Sequence, residues 1–268
     1  MCGSRSAIFP HVEPGVTGCL DEFPPLLRGE SPPYSRNLLN MPSRLRGPRQ
    51  KRRFKDEVYA AAARVPAALA NRHRLELLDL LSQRSRTVQD VAAEAGITVA
   101  NASQHLRVLA ECGLVTVERR GTFAFYRAAG PLVYRLLVAL RAVADSVDSR
   151  IAEVERAYFG SRDPGIPDFT TALDALADGR TMVLDARPRE EYEAAHLPGA
   201  ISAPLEALRC GKVALSRSKR YVVYCRGPYC VFADEAVALL RERGLDATRL
   251  ALGPAEWVAA GGEVQRAG

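Results

Sequence analysis

Two cysteines stand five positions apart in the stretch YVVYCRGPYC at residues 221–230. Cys225 follows a short apolar run, and Cys230 follows Arg-Gly-Pro-Tyr, which is typical of a turn. A thiol at the carboxyl end of a buried strand lies in the crevice above the sheet, where loop N–H groups and the positive end of the next helix favour the thiolate. A thiolate can attack a sulfane sulfur donor and hold the sulfur as a persulfide. The pattern therefore indicates sulfur chemistry, unless Cys225 is only a buried structural cysteine.

The elements that would position this pair alternate between short apolar strands and helices after Pro167. Such alternation predicts a parallel sheet that is buried on both faces. The predicted order is a helix in TALDALADG, a strand in MVLDAR, a short acidic helix, a strand in YVVYC, a helix in FADEAVALLRERG, a strand in TRLAL and a helix in PAEWVAAGG. Cys225 would then lie at a strand-to-helix junction.

Three separated motifs in this half follow the order found in rhodanese (sulfurtransferase) domains. They are LDARPREEYEAAHLPGAISAPL at 184–205, YVVYCRGPYC at 221–230 and LGPAEWVAAGGEV at 252–264. Residues 168–268 therefore resemble a rhodanese-like domain. The resemblance implies that Cys225 is the nucleophile and that its partners are small sulfur species such as thiosulfate, polysulfide or persulfide.

The same resemblance assigns roles to four polar residues of the first motif. Asp185 and Arg187 would orient the loop from the strand end. Glu191 and His196 would be structural and not catalytic. None of these roles requires a cofactor, and we expect none.

The loop after Cys225 departs from the rhodanese pattern, which usually runs C-x-x-G-x-R before the helix. Cys230 stands here where the arginine is usual, and the loop residues between the cysteines are Arg226, Gly227, Pro228 and Tyr229. Pro228 removes one backbone donor, whereas Arg226 supplies positive charge earlier in the loop. Cys230 could attack a persulfide on Cys225, releasing sulfide and closing a disulfide, as a resolving cysteine does. The alternative is that Cys230 only packs at the start of the helix.

The charge of the chain is concentrated in one segment. The net charge is +6 over 268 residues. Residues 41–130 hold 16 basic and 8 acidic side chains, a net charge of +8, whereas residues 162–268 hold 14 basic and 15 acidic ones. This distribution is typical of a nucleic-acid-binding module joined to a domain that does not bind nucleic acid.

The basic segment shows an order of elements typical of a winged helix-turn-helix. The pattern from Phe54 to Leu81 is helical, and Pro66 is expected to separate two helices. Thr87 is suited to cap the next helix, and Gly96 is suited to end it. A further helix in ITVANASQHLRVLAECG precedes a stretch that alternates apolar and polar residues around Arg120-Gly121, which predicts a β-hairpin.

This order and its spacing resemble the ArsR family of winged-helix repressors. The residues that carry the resemblance are ALANRHRLELLDLL at 68–81, TVQDVAAEAGIT at 87–98, NASQHLRVLAECGLV at 101–115 and ERRGTFAFYR at 118–127. The family implies binding to double-stranded DNA. Many of its members sense metals through Cys and His ligands in the helix before the turn, but TVQDVAAEA has neither. We therefore expect no metal site.

The candidate DNA contacts fall into two groups. The amino-terminal part of a recognition helix meets base edges in the major groove, where Thr98, Asn101, Gln104 and His105 offer suitable groups. Phosphate contacts fix the position without reading the sequence, and they are assigned to Ser103, Arg107, Arg119 and Arg120. His105 has an alternative role as a helix residue that packs under the wing.

Residues 131–158 carry apolar side chains at alternating spacings of four and three. They are Val133, Leu137, Leu140, Ala144, Val147, Ile151, Val154 and Tyr158. A repeat of 3.5 residues predicts the seam of a two-helix coiled coil and hence a homodimer. The alternative is a helix that packs against its own domain.

The remaining signals concern the amino terminus and the cell compartment. Residues 1–53 contain several prolines and no sustained periodicity, so we expect disorder there, with a basic arm at 43–53 and Met41 as an alternative start. No stretch approaches the roughly 20 apolar residues of a membrane span, and no signal peptide is recognisable. The expected location is the cytoplasm, where cysteines stay reduced.

The sequence thus predicts a two-domain chain, a mainly α winged helix-turn-helix followed by an α/β rhodanese-like domain with a central parallel sheet. The domain ranges are 54–130 for the DNA-binding domain, 131–160 for the dimerisation helix, 161–167 for the linker and 168–268 for the rhodanese-like domain. The favoured function is a transcriptional regulator, acting as a repressor, that senses reactive sulfur through Cys225. The alternatives are a sulfurtransferase enzyme with a winged helix for dimerisation or localisation, and a catalytically idle interaction module.

Overall fold

The computed structural model of the chain describes residues 47–160, 165, 166, 169, 172 and 179–267. The chain divides into two units, residues 1–59 and 60–268. The predicted helix TALDALADG and the predicted linker 161–167 lie mostly outside the described residues, as do residues 1–46. Among the described helices, none is both long and apolar enough to cross a membrane.

The described residues of the first unit begin a helix, α1, that spans Pro48–Leu69. The expectation that the basic arm is disordered is therefore wrong for Pro48 to Arg53. Proline fits the first turn of a helix, where its missing N–H is not needed. Arg52 and Arg53 form i,i+4 ion pairs with Asp56 and Glu57, each at 2.7 Å, and such pairs stabilise an exposed helix.

Helix α1 continues through Pro66, so the predicted break at this proline is also wrong. The helix ends only at Leu69, and the N–H of Ala70 still donates to the carbonyl of Pro66 at 2.9 Å. Asn71 then has an extended backbone, and its side chain accepts from the N–H groups of His73 and Arg74. The cap at Asn71, and not the proline, starts the second helix, α2, at Arg72–Gln83.

The predicted winged helix-turn-helix is confirmed. Thr87 closes a capping box with Asp90 and starts α3, and Gly96, with a positive φ of 62°, follows its end. The elements are β1 at Arg86–Thr87, α3 at Val88–Glu94, the recognition helix α4 at Val99–Glu111, β2 at Val115–Arg120 and β3 at Phe123–Ala128. The strands form an antiparallel sheet in the order β1-β3-β2, with the hairpin turn at Gly121.

The single helix predicted over 131–158 is two helices, α5 at Pro131–Val147 and α6 at Ser149–Phe159. Asp148 interrupts the helix because its backbone is extended and its carboxylate accepts from the N–H of Arg150. The first part of the predicted seam, including Val133 and Leu137, is buried in the core of its own domain. Later seam residues are exposed, with 76% of Val147 and 67% of Val154 accessible.

The rhodanese-like half forms the predicted parallel sheet, with the strand order β5-β4-β6-β7. Its strands are β4 at Thr181–Asp185, β5 at Ile201–Ser202, β6 at Arg220–Tyr224 and β7 at Asp246–Arg249. Its described helices are Arg189–Ala194, Leu205–Arg209, Phe232–Glu242 and Pro254–Ala259. Apolar clusters cover both faces of the sheet, as its apolar strands predict. Asp185 of β4 is in register with Tyr224 of β6. The carboxyl ends of these two strands, which precede Arg187 and Cys225, therefore lie side by side at the same end of the sheet.

Candidate functional site

The structure places Cys225 directly after β6, where 2% of it is exposed, and Cys230 half-buried before the helix Phe232–Glu242. Their sulfurs are joined in a disulfide. The two Cα atoms lie 6.3 Å apart, a separation that falls within the range of bridged cysteines. The N–H of Cys230 donates to the carbonyl of Gly227 at 3.2 Å. This donor therefore closes the turn and does not point to a sulfur atom.

Arg226, the first residue of the loop, holds two carboxylates from different parts of the chain. Its guanidinium donates to Glu191 at 2.6–3.1 Å and to Glu94 of α3 at 2.7 Å. Burial lowers the pKa of Arg226, but the hydrogen bonds and charges of Glu191 and Glu94 outweigh burial and raise it overall. The loop beside the cysteines is thus ion-paired to the helix that precedes the recognition helix.

Two further contacts join the loop to the winged-helix half. The side-chain N–H of Gln83, at the end of α2, donates to the carbonyl of Arg226 at 3.3 Å. The hydroxyl of Tyr229 donates to Asp145 on α5 at 2.8 Å. Burial and the bond to Asp145 raise the pKa of Tyr229. Three different helices of the winged-helix half therefore contact the four-residue loop.

Asp185 and Arg187, the predicted loop-orienting pair, are fully buried beneath the strand ends. Arg187 donates to Asp185 at 2.6 Å and to the side-chain oxygen of Gln83 at 3.0 Å, and the hydroxyl of Tyr224 also donates to Asp185, at 2.6 Å. Among the described contacts the pair reaches the loop through Gln83 and through Glu191, which lies 3.9 Å from Arg187 and binds Arg226. Their geometry is consistent with a positioning role.

Glu191 is the centre of this network, although the sequence suggests only a structural role for it. It is fully buried and accepts hydrogen bonds from Arg226 and from Arg86 of β1, and it lies 3.9 Å from Arg187. The functional contacts that sequence reasoning missed are the partners of the loop on the winged-helix side. No local pattern identifies these residues, because Glu94 lies 132 positions from Arg226 along the chain.

A pocket of about 540 Å³ opens beside the cysteines, between the winged-helix half and the loop. Its wall includes Cys230, Arg226 and Tyr229. Most of its other lining residues are apolar and come from α2, α5 and α6, namely Leu75, Leu80, Leu137, Leu140, Ala144 and Ile151. Because Cys225 is covered, a small reagent would approach the pair from the side of Cys230.

Gly253, which follows β7, packs directly under the loop. A Cβ atom added there would lie 2.5 Å from the carbonyl oxygen of Cys225 and 2.7 Å from that of Arg226. We expect Gly253→Ala to displace the loop and to lower the free energy of unfolding by about 1–3 kcal/mol, as overpacking does. Urea unfolding measures this change. Gly47→Ala is the control, since its added Cβ meets no atom within 4 Å, and equal losses in both variants would contradict the prediction.

The predicted base-reading residues occupy the amino-terminal part of α4 and its cap. The side chain of Thr98 caps the helix by accepting from the N–H of Asn101 at 3.2 Å, so this oxygen is already engaged. Ser103, Gln104 and Arg107 are exposed on α4, and Asn101 is half-buried. They can therefore reach a DNA groove.

The other candidate DNA residues differ in how far they are engaged. The ring of His105 packs 5.6 Å from that of His73 on α2, and desolvation lowers the pKa of His105. It therefore packs against α2 and not under the wing. Arg120 donates to Glu118 at 2.9 Å, whereas its exposed neighbour Arg119 forms no ion pair with any described residue.

The described residues contain no group of three or more His, Cys, Asp or Glu side chains that could hold a metal ion.

Two family models match the chain. The model of the arsR family of bacterial regulatory proteins matches residues 71–117, and the model of the rhodanese-like domain matches residues 168–260. The HTH-type transcriptional regulator Rv0324 of Mycobacterium tuberculosis is 40% identical over 199 residues, which cover 74% of this chain and 88% of that relative.

Two further similarities cover about a third of the chain each. A probable mercury resistance operon repressor of Streptomyces lividans is 35% identical over 82 residues, which cover 31% of this chain and 66% of that protein. The solved homodimeric winged helix-turn-helix domain of Mb0332 from Mycobacterium bovis is 42% identical and covers 35% of this chain and 86% of its own, with a TM-score of 0.33.

Proposed function

The chain belongs to the ArsR family of bacterial transcriptional regulators and carries a rhodanese-like domain, and on this premise we propose that reactive sulfur at Cys225 and Cys230 controls its binding to DNA. The reduced protein binds operator DNA as a repressor in the cytoplasm. Sulfur transfer to the cysteine pair weakens that binding. Thr98, Asn101, Ser103, Gln104, Arg107, Arg119 and Arg120 contact the DNA, and His105 supports α4 from beneath.

The residues between the two cysteines, 226–229, form a loop that we call the sulfur loop. The observation that carries this proposal is the set of contacts between this loop and the winged-helix half. Arg226 pairs with Glu94 on α3, Gln83 of α2 bonds to the loop backbone, and Tyr229 bonds to Asp145 on α5. A change at the cysteines that moves the loop must therefore alter at least one contact to these helices. Coupling between two sites requires such an element with two states.

The proposed chemistry supplies two states of the loop. The thiolate of Cys225 attacks the outer sulfur of a persulfide RS–SH, forming Cys225–S–SH and releasing RS⁻. The thiolate of Cys230 then attacks the sulfur bound to the protein at Cys225, which closes the disulfide and releases HS⁻. Two thiols are oxidised and one sulfane sulfur is reduced to sulfide, so no other oxidant is needed. The bridge fixes the ends of the loop, whereas the reduced pair leaves them free to separate.

The test is the affinity of the purified full chain for the DNA upstream of its own coding sequence, before and after treatment with sodium polysulfide. We expect treatment to weaken binding by about 5- to 150-fold in the wild type and not at all in Cys225→Ser. Cys210→Ser is the matched control, since Cys210 is exposed and lies outside the loop. Equal responses of wild type and Cys225→Ser would exclude Cys225 as the sensor.

The exposed apolar residues of α6 support a homodimer as part of the proposal. Val154 and Tyr158 lie on one face of α6, and 67% of each is exposed. We expect Val154→Glu to shift the protein from dimer to monomer in sedimentation, because a buried unpaired carboxylate destabilises an interface. Ala152→Glu, on the opposite face of the helix, should remain dimeric. A monomeric wild type would contradict this part of the proposal.

A sulfurtransferase enzyme is the second candidate, and the rhodanese-like match favours it. An enzyme must release sulfur to an acceptor such as cyanide over many turnovers, whereas a sensor needs only one modification per site. Sustained turnover without an effect on DNA binding would establish the enzyme and exclude the sensor.

A further inference from the structure

Four arginines around the cysteine pair are held by carboxylates. Arg226 is bound by Glu191 and Glu94, and Arg187 is bound by Asp185.

Two further arginines lie near the loop. Arg141 lines the pocket and is bound by Asp79 and Glu256. Arg249 donates to the carbonyl of Pro228 and lies 3.3 Å from Asp234. The charges of these four guanidinium groups are therefore already balanced by carboxylates. Arg72 is exposed on the pocket wall, and Glu76, one helical turn later, lines the same pocket.

Two backbone positions, one in the loop and one directly after it, add no positive potential to this balance. Pro228 has no N–H, and the N–H of Cys230 is bonded to the carbonyl of Gly227. The first turn of the helix after the loop carries Asp234 and Glu235, which are paired with Arg249 and Arg209 and so add no net charge. The site therefore has no strong attraction for an anion of high charge.

This charge balance distinguishes between classes of sulfur donor. Thiosulfate is a dianion, and its reaction, Cys225–S⁻ + S–SO₃²⁻ → Cys225–S–S⁻ + SO₃²⁻, brings three negative charges together. Such a transition state requires unpaired cations or N–H donors around the sulfur. A protonated persulfide reacts as Cys225–S⁻ + RS–SH → Cys225–S–SH + RS⁻, with a single negative charge throughout.

The pocket favours the same class of donor. The accessible surface of its wall is mainly apolar and reaches Cys230, so it suits an uncharged organic group R and offers little to a small, strongly hydrated dianion. We propose that the sulfur donor of this protein is an organic persulfide of low charge, and not thiosulfate. The inference rests on the proposed function and specifies the donor for that same site.

The test compares two donors on the full chain after its bridge has been reduced with dithiothreitol and the reductant removed. The probes are 2-hydroxyethyl persulfide and sodium thiosulfate. The rate at which the free thiol of Cys225 is lost, either to the persulfide or to the bridge with Cys230, is followed by mass spectrometry after alkylation of the remaining thiols. We expect the persulfide to react at least about tenfold faster, because the Cys225 thiolate repels thiosulfate and the four arginines beside the loop are already paired. Cys225→Ser identifies signal from the other cysteines.

A variant that changes the charge around Arg226 tests whether charge determines the preference for the persulfide over thiosulfate. Glu94→Gln removes one of the two carboxylates on Arg226, so thiosulfate should gain in rate relative to the persulfide. An unchanged ratio would contradict the role of charge. If thiosulfate reacts as fast as the persulfide in the wild type, the inference is wrong and the proposed function stands. If neither donor modifies Cys225, the proposed function fails and the inference fails with it.

Discussion

Glu191→Gln should lower the free energy of unfolding by about 3–5 kcal/mol, the cost of removing one partner from a buried ion pair. Glu191 is fully buried and accepts hydrogen bonds from both Arg86 and Arg226. Burial lowers the pKa of Arg86, and the charge of Glu191 acts in the opposite direction. An amide carries no compensating charge and places an N–H₂ group against two guanidinium donors.

Urea unfolding at neutral pH measures this loss. Glu190→Gln is the matched control, since it makes the same change on the exposed side of the same short helix, and it should stay within about 0.5 kcal/mol of the wild type. A loss of similar size in both variants would mean that Glu191 does not hold the two arginines. A loss confined to Glu191→Gln would show that the network joining the two halves stabilises the fold.

Local signals were sufficient to predict most of the fold. Thr87 and Gly96 mark the two ends of α3, and the alternation of apolar strands and helices identifies the parallel sheet. These features depend on caps, turns and periodicity, which are encoded by neighbouring residues. The position of Cys225 at a strand end follows from the same patterns.

Two helix boundaries could not be predicted, because competing local preferences had to be weighed against each other. Pro66 disfavours a helix interior, yet α1 continues until Asn71 provides a better cap for the next helix. Asp148 sits within an unbroken 3.5-residue repeat, yet its carboxylate caps α6 and ends α5. In both cases a side-chain cap determined the boundary that the apolar pattern had obscured.

The contacts of the sulfur loop could not be predicted from local sequence at all. When only the loop sequence is considered, Arg226 is expected to supply a positive charge beside the cysteines. In the structure it is shared by Glu191 and Glu94, so it links two halves of the chain and is not available as a free charge. The arginine of this loop therefore serves the contact between the two halves and does not act as a free charge beside the cysteines.

Glu94→Gln should uncouple sulfur chemistry from DNA binding. The hydrogen bond from Arg226 to Glu94, at 2.7 Å, joins the loop to α3, the helix before the recognition helix. A hydrogen bond between charged groups contributes about 1.5–3 kcal/mol, so its loss should reduce the ratio of untreated to polysulfide-treated DNA affinity by about tenfold, or abolish a smaller ratio. The measurement is this ratio, obtained by fluorescence anisotropy at one fixed salt concentration.

The ratio is the informative quantity because removal of a negative charge near DNA also strengthens binding in both states. Glu242→Gln makes the same charge change on an exposed surface of the rhodanese-like half and should keep the wild-type ratio. Mass spectrometry must show that polysulfide still converts the Cys225 thiol to the persulfide or to the bridge with Cys230 in Glu94→Gln, so that a lost response reflects lost coupling. A wild-type ratio in Glu94→Gln would contradict the Arg226–Glu94 link and leave Gln83 and the Tyr229–Asp145 bond as the connections between the loop and DNA.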